Sequence, residues 1–125
     1  MTLQKALDQA DGMRANMMPR AMKIEWLSEI EQLIWHEILM KHEHTAEEET
    51  MPAYDEDTDS GTVLLVPDPY SRVYKYWLMF HIDEQNLEFD KCNNDKALFE
   101  QAYETMSDWW TRTKMPISPV LQLMI

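Results

Sequence analysis

The chain has 125 residues with 23 acidic and 11 basic side chains, a formal net charge of −12 with histidine neutral. This length fits one domain, and a hydrophobic share of 45% supplies a core, which argues against a disordered chain. Two glycines leave almost none for phosphate-cradling loops or strained nucleophile turns, so several enzyme classes are disfavoured. The single cysteine, Cys92, excludes an internal disulfide and a multi-cysteine metal site and favours a reducing compartment. The sequence contains no apolar run long enough for a secretion signal or a membrane-spanning helix, so we expect neither.

Two helices are predicted in the first third of the chain. Between Thr2 and Ala10, apolar residues recur at the spacing of one helix face; Thr2 can cap this helix and Gly12 ends it. A longer helix is predicted from about Arg20 to Lys41. Its polar arc spans roughly 100° and consists of Glu25, Ser28, Glu29, Gln32 and His36. The remaining circumference is apolar, so we expect this helix to be covered on more than one side, by its own domain or by another subunit.

A strongly acidic segment, residues 42–62, follows the second helix. It carries eight carboxylates and no lysine or arginine: Glu43, Glu47, Glu48, Glu49, Asp55, Glu56, Asp57 and Asp59. Repulsion among these carboxylates predicts an extended, solvated loop. Because nucleic acid binding depends on lysine and arginine replacing counterions, we expect no sequence-specific contact with DNA.

A third helix is predicted after this loop. The apolar run 63–66 is too short for a helix, but Asp68 can cap one and Pro69 fits its first position. The pattern continues to at least Ile82. One stripe of this helix is largely aromatic and contains Tyr70, Val73, Tyr74, Trp77 and His81.

A fourth helix completes the predicted bundle. Asn93 and Asn94 interrupt the pattern and can cap a helix from about Asp95 to Lys114, whose apolar and polar residues divide cleanly between two faces. We therefore predict an all-α fold: a single domain over residues 1–125, a small bundle of about four helices with a long acidic loop.

The last segment, residues 115–125, is predicted to be an extended apolar tail. Pro116 and Pro119 prevent a regular helix, yet Leu121, Leu123 and their neighbours are too apolar to stay in water. Packing onto the tail's own helices and insertion into a neighbouring subunit both remain open.

The sequence contains few residues in patterns typical of catalytic or metal-binding sites. His42 and His44, with Glu43 and Glu47, could present two imidazoles and a carboxylate to zinc or nickel, but the predicted loop would have to order first. His81 is better explained as a hydrogen-bonded core histidine than as a general base. We expect no enzyme activity, no cofactor and no metal.

The order of these segments resembles a family of phage proteins. The matching residues lie in the second helix (Ile24, Glu25, Trp26, Leu27, Ile30, Glu31), in the segment before and within the third (Leu64 to Tyr70, Tyr74), and around the fourth (Ile82, Asp83, Glu88 to Lys91, Asn93, Asn94, Leu98, Phe99, Tyr103). The pattern spans roughly Thr2 to Arg112. It is similar to the head-tail connector (adaptor) proteins of tailed phages and of prophages in Gram-positive bacteria.

This resemblance implies a structural virion protein. Such a protein docks on the portal, forms an oligomeric ring that extends the DNA channel, and contacts head-closure or tail proteins; it is made in the bacterial cytoplasm and ends at the head-tail junction of the virion. Candidate interaction residues on this chain are Pro67, Pro69, Tyr70, Tyr74, Asn93, Asn94, Pro116, Pro119, Leu121 and Leu123. The acidic loop could line the channel or simply solubilise the surface. The alternative function is an acidic inhibitor or DNA mimic that binds a host protein.

Overall fold

Four α-helices build the part of the chain that the computed structural model describes, residues 1–117. They are α1 (Leu3–Met13), α2 (Arg20–Glu37), α3 (Arg72–Gln85) and α4 (Phe89–Thr113). Two short 3-10 turns, Leu39–Lys41 and Glu47–Glu49, lie between α2 and α3. No strand forms within residues 1–117, so the predicted all-α bundle of about four helices is confirmed.

The core surrounds α3, against which α1, α2 and α4 all pack. Its fully enclosed side chains come from all four helices and include Leu3, Leu7, Leu27, Ile30, Ile34, Tyr74, Leu78, Ile82 and Met106. Burying an aliphatic or aromatic side chain of this size contributes about 1.5 to 3 kcal/mol. The helix faces predicted from apolar spacing are therefore the faces that hold the bundle together.

Helix α1 begins as predicted but ends later. The Thr2 side chain accepts a hydrogen bond from the Lys5 N–H at 3.2 Å, which caps the first turn. The helix continues through Gly12 to Met13, and the Arg14 N–H closes it on the Ala10 carbonyl. Gly12 was expected to end the helix, but its position faces solvent and takes a helical conformation at a modest cost.

Helix α2 ends at Glu37 instead of continuing to Lys41. The backbone turns at Ile38, and the His42 imidazole Nδ1–H donates to the Ile38 carbonyl at 2.6 Å. The Ile38 carbonyl also accepts from the Lys41 N–H at 3.1 Å, so the imidazole adds a second hydrogen bond at the end of the helix. The predicted boundary was wrong because apolar spacing alone does not show a histidine folding back as a cap.

The cover that α2 was expected to need comes from its own chain. Within the described residues Ile24, Leu27, Ile30 and Ile34 are fully enclosed, whereas Leu33 remains 41% exposed. The polar arc is narrower than predicted, because Ser28 is buried. The expectation of cover on more than one side is confirmed, and no second subunit is needed to provide it for most of α2.

Helix α3 begins at Arg72, four residues later than the expected cap at Asp68. Asp68 instead accepts a hydrogen bond from the Ser71 hydroxyl, and the Tyr70 N–H donates to the Pro67 carbonyl at 3.0 Å. These bonds close a turn over residues 67–71, which competes with helix formation there. The predicted start of the third helix was therefore too early.

Helix α4 begins at Phe89, so Asn93 and Asn94 lie inside it. The predicted turn at this asparagine pair was wrong. Both side chains are exposed, where asparagine costs only about 0.7 kcal/mol relative to alanine. Cys92 and Asp95 beside them are buried, so tertiary packing outweighs the weak preference of asparagine for helix ends.

Candidate interaction surfaces

A buried glutamate fixes the acidic segment to the bundle. Glu31 on α2 is fully enclosed, and its Oε2 accepts hydrogen bonds from the Tyr54 hydroxyl at 2.8 Å and the Leu65 N–H at 3.0 Å. Its Oε1 accepts from the Tyr74 hydroxyl, whose oxygen accepts from the Val66 N–H at 2.9 Å. Burial raises the pKa of Glu31, although the three donors oppose that rise. The Glu31 side chain thus links Tyr54 and the backbone at Leu65 and Val66 to α2 and α3.

The acidic segment, residues 42–62, lies along α2 and is held there by hydrogen bonds. The Trp35 indole N–H donates to the Glu48 carbonyl at 2.8 Å, and the Tyr54 N–H donates to Ser28 Oγ at 3.0 Å. Seven of the eight predicted carboxylates are exposed, and Glu48 is half-buried. The side chains are solvated as expected, but the backbone is anchored at two points instead of extending freely.

These carboxylates form one continuous surface with two residues of α2. A shallow depression is lined by Ala21, Glu25, Tyr54, Asp55, Glu56 and Asp57. Glu29 lies one turn after Glu25, and its pKa is raised by partial burial and by the charge of Glu25. We call the exposed carboxylates of residues 43–59 together with Glu25 and Glu29 the acidic face. Glu25 and Glu29 lie on α2, and the other carboxylates lie on a segment that is hydrogen-bonded to Ser28, Glu31 and Trp35 of that helix.

Four exposed apolar side chains lie at the end of the bundle where the end of α1 and the connection after it meet the α3–α4 turn. Met13 is 56% exposed, Met17 96%, Leu87 70% and Phe89 63%. The two connections touch, since the Asn86 amide donates to the Ala15 carbonyl at 3.3 Å. We call Met13, Met17, Leu87 and Phe89 the end patch.

Leu87 occupies a conformation that leucine disfavours. Its φ is 57°, in the left-handed region, which costs a residue with a side chain roughly 1 to 2 kcal/mol. Glycine or asparagine would serve this turn better, and the leucine side chain gains little from burial. Neither turn geometry nor core packing explains a leucine here.

A half-buried arginine connects the helices next to the end patch. Arg14 Nε donates to Asp83 Oδ1 at 3.0 Å, and its Nη2 donates to Asp95 Oδ2 at 3.0 Å. Both carboxylates are buried, and Asp83 Oδ2 has no hydrogen-bond partner. Burial and the neighbouring Asp95 carboxylate raise the pKa of Asp83 to about 7, against the opposing effect of Arg14. One guanidinium therefore joins α1 to α3 and α4.

A groove runs between α3 and α4 on the flank of the bundle. Its volume is about 410 Å³, within the range of pockets that accept a ligand. The groove is lined by Pro69, Tyr70, Arg72, Tyr76, Leu98, Gln101, Ala102 and Thr105. The Tyr70 ring stacks on Trp109 at 4.7 Å between centroids, which fixes one wall.

The start of the tail is paired with the chain that follows α2. Pro116 forms an isolated antiparallel bridge with His42. The Glu43 N–H donates to the Met115 carbonyl at 2.9 Å, and the Ile117 N–H donates to the Lys41 carbonyl at 2.7 Å. The tail therefore leaves the described structure in an extended conformation, as its prolines predict.

The predicted interaction residues are not brought together at one place. Pro67, Pro69 and half-buried Tyr70 lie at the start of α3, and Asn93 and Asn94 lie on the exposed side of α4. Pro116 is exposed beside His42. Tyr74 is fully enclosed and bonded to Glu31, so it serves the core and not an outer surface. Pro119, Leu121 and Leu123 lie outside the described residues.

The histidines are placed for structure. His42 is buried, and the His44 imidazole contacts the His42 carbonyl at 2.7 Å and Glu49 at 2.5 Å; these two hydrogen bonds raise the pKa of His44. Within residues 1–117 no three His, Cys, Asp or Glu side chains are positioned to share a metal ion. His81 stacks on Trp26 at 5.1 Å, and burial lowers its pKa. Its Nε2 is buried without a partner, so the expected hydrogen-bonded core histidine is wrong in that detail.

Sequence reasoning missed the residues that build these surfaces. Glu31 was named only among the residues that carry the family resemblance, and nothing in its spacing signals full burial. Leu87 was assigned no functional role, and Phe89 was considered for function only within the same resemblance. Arg14 forms ion pairs with Asp83 and Asp95, and the spacing of residues along the chain does not predict contacts between positions so far apart.

Comparison with protein-family models, with curated proteins and with solved structures gives no significant match for this chain. Among residues 1–117, no helix has both the length and the apolar character needed to cross a membrane. We therefore infer the function from the surfaces described above and from the sequence pattern.

Proposed function

We propose that the chain is a structural assembly protein of the phage head-tail junction, a connector that docks on the portal and forms an oligomeric ring around the DNA channel. The end patch is the surface that this proposal assigns to the portal, and the acidic face is the surface that it assigns to the lumen. Head-closure or tail proteins would bind the opposite side of the ring.

The end patch is the observation that carries the proposal. Exposed apolar side chains grouped at one place mark protein contacts more often than isolated ones do. Met17 is 96% exposed, and methionine adapts its shape to the surface it meets. Leu87 keeps a costly backbone conformation while its side chain gains little burial in the monomer. A partner that covers this end would account for the choice of leucine.

The acidic face agrees with a role next to sliding DNA. DNA binds proteins mainly through cations that displace its counterions, and between residues 43 and 71 the chain has no lysine or arginine. Carboxylates held along α2 would repel the phosphates at short range. The DNA would then pass without adhering to the channel wall.

A second function is favoured by the same surface. A protein that imitates DNA needs carboxylates at fixed spacing, and the anchors at Trp35 and Tyr54 hold the loop in place. Such a protein would occupy a basic groove on a host DNA-binding protein. It would have no need for a portal and no need for the end patch.

A substitution at Leu87 tests the connector proposal without risk to the fold. Leu87→Gly removes the left-handed strain, so we expect the free energy of unfolding to rise by roughly 0.5 to 1 kcal/mol. We expect its binding to tailless heads that carry the portal to fall by about tenfold or more, because one buried leucine contributes about 1.5 to 3 kcal/mol. Co-sedimentation with the heads measures the binding, and urea unfolding measures the stability.

The matched control is Met51→Ala, which removes an exposed apolar side chain from the acidic segment. We expect it to bind the heads like the unsubstituted chain. Equal binding by Leu87→Gly would contradict the assignment of the end patch. If the unsubstituted chain ignored the heads and instead bound basic host proteins as a monomer, the second function would replace the first.

A further inference from the structure

We propose that Arg14, Asp83 and Asp95 form a protonation switch that controls the order of the end patch. With one proton on the two carboxylates, this cluster is neutral and holds the patch in its binding conformation; without that proton, the patch loosens. The inference deepens the proposed function, and it rests on that function for the identity of the partner that the patch meets. We call the three residues the Arg14 cluster.

The Arg14 cluster contains one positive and two negative side chains. Asp83 and Asp95 are both fully enclosed by the protein, so bulk solvent cannot offset their charges. When both carboxylates are ionised, the cluster carries a net charge of −1, and when one of them is protonated the cluster is neutral. A buried charge without a partner is costly, because it loses its hydration and gains nothing in exchange. Burial of the cluster therefore favours the form with one proton.

One oxygen of the cluster indicates where that proton belongs. Arg14 Nε donates to Asp83 Oδ1 at 3.0 Å, and its Nη2 donates to the two oxygens of Asp95 at 3.2 and 3.0 Å. Asp83 Oδ2 is buried and has no partner in the described part of the chain, although the Asp95 carboxylate lies within hydrogen-bond reach of Asp83. Two carboxylates this close repel each other unless one carries a proton and donates it to the other. A proton on Asp83 Oδ2 gives this oxygen a partner and removes the repulsion.

Neighbouring titratable groups change charge in other pH ranges. Burial and the Asp95 carboxylate raise the pKa of Asp83 to about 7. Burial lowers the pKa of His81 on α3 and raises the pKa of the Cys92 thiol on α4, so both values move away from neutral pH. The other charged groups of the elements that pack here are Glu84 on α3, Lys96 on α4, and the ion pair of Lys23 on α2 with Asp11 on α1. Of Asp83, His81 and Cys92, Asp83 is therefore the group whose charge changes near pH 7.

On one side, the cluster holds the end of α1 and the connection that follows it. Arg14 comes directly after Met13, the last residue of α1, and its guanidinium is bonded to Asp83 on α3 and to Asp95 on α4. Met17 lies three residues further along the same connection and is 96% exposed, so its own side chain contributes almost nothing to holding it in place. The positions of Met13 and Met17 thus depend largely on the two ion pairs of Arg14.

On the other side, the cluster holds the α3–α4 turn. The backbone carbonyl of Asp83 accepts a hydrogen bond from the Glu88 N–H at 3.0 Å. Leu87 precedes Glu88 and Phe89 follows it, so this bond helps to place both patch residues. The left-handed conformation of Leu87, with a φ of 57°, favours relaxation of the turn once the Asp83 side chain is held less firmly. A change of charge at Asp83 therefore reaches all four residues of the end patch.

The size of the effect follows from the fraction of molecules that carry the proton. With a midpoint at about pH 7, about nine tenths of the molecules carry it at pH 6 and about one tenth at pH 8. The apparent affinity of a surface falls in proportion to the fraction of molecules that present its binding conformation. We therefore expect the end patch to bind its partner about tenfold more weakly at about pH 8 than at about pH 6.

Asp83→Asn should fix the switch in the state that corresponds to the protonated form. The amide keeps an oxygen for Arg14 Nε and gives an N–H to the Asp95 carboxylate, and it does not titrate. The matched control is Asp90→Asn, which changes an exposed aspartate in the first turn of α4. Asp95→Asn is a second variant that also leaves one carboxylate in the cluster, and it serves if Asp83→Asn fails to fold.

Methyl NMR of full-length protein with labelled methionines tests the switch without a partner. The Met13 and Met17 signals, assigned with Met13→Leu and Met17→Leu, should shift with a midpoint at about pH 7 in the unsubstituted chain and in Asp90→Asn. Neither signal should show that midpoint in Asp83→Asn or Asp95→Asn. An unsubstituted chain without the midpoint, or cluster variants that retain it, would overturn the inference.

Co-sedimentation with tailless heads separates the switch from the proposed function. Asp83→Asn should bind like the unsubstituted chain at about pH 6 and about tenfold more tightly than that chain at about pH 8. Comparing the two proteins at the same pH removes any contribution from titration of the heads. Equal binding of both proteins to the heads at pH 8 would reject the switch and keep the connector. An NMR midpoint in a chain that ignores the heads would keep the switch and reject the connector.

Discussion

Replacing the buried Glu31 with glutamine tests how the acidic segment is held. Glutamine has the same size but offers one acceptor oxygen and one NH₂ donor. In the better orientation its oxygen serves Tyr54 and Leu65, as the Glu31 Oε2 does. The NH₂ group then faces Tyr74, whose hydroxyl already accepts from Val66 and loses the acceptor for its own proton.

The expected cost follows from that one lost bond. A hydrogen bond to a charged group contributes about 1.5 to 3 kcal/mol, and removal of a buried charge offsets part of its loss. We expect Glu31→Gln to lower the free energy of unfolding by about 1 to 2 kcal/mol, or the midpoint temperature by about 5 °C. Urea unfolding followed by circular dichroism measures this, and hydrogen exchange should show less protection at the Leu65 and Val66 amides.

Glu29→Gln is the matched control, because Glu29 lies on the same helix and is exposed. We expect its effect to stay within about 0.5 kcal/mol. If Glu31→Gln were as stable as the unsubstituted chain, or if Glu29→Gln lost as much, the buried glutamate would not be what ties the acidic segment to the bundle.

Three further predictions concern the buried polar groups and the core. Because the folded pKa of Asp83 is about 7, above its ordinary value, its contribution to stability is largest in acid and is lost as the pH rises through 7. Asp83→Asn should therefore flatten the fall in unfolding free energy between about pH 4 and pH 7, whereas exposed Asp90→Asn should keep the slope. His42→Ala should cost about 0.5 to 1.5 kcal/mol in urea unfolding, because it removes the hydrogen bond from the buried imidazole to the Ile38 carbonyl, which keeps the Lys41 N–H as a donor. Leu27→Ala should cost about 2 to 5 kcal/mol in thermal unfolding, since the side chain is fully enclosed; a smaller loss would mean that the core closes over the cavity.

Helix number and helix faces could be predicted because apolar spacing reports burial directly. Leu3, Leu7 and Ile30 lie inside as their periodicity required. Helix ends were predicted less well, because they depend on single side chains that fold back. His42 shortens α2, and the Ser71–Asp68 hydrogen bond delays α3. Neither contact can be predicted from the spacing of apolar residues.

The interaction surfaces were the least predictable part. Whether Tyr74 faces outward or inward depends on Glu31, which lies 43 residues away in the chain. The exposure of Phe89 depends on where α4 begins, and the asparagine pair led to a predicted start that was too late. The groove between α3 and α4 could not be predicted, because it is built from two helices that meet only in the fold.

The claim that these surfaces build a portal-bound ring is tested most directly by electron microscopy of the protein mixed with tailless heads. The account predicts an added ring of density on the portal, with the acidic face toward the channel. A bare portal after mixing, with the protein left as monomers in solution, would contradict it.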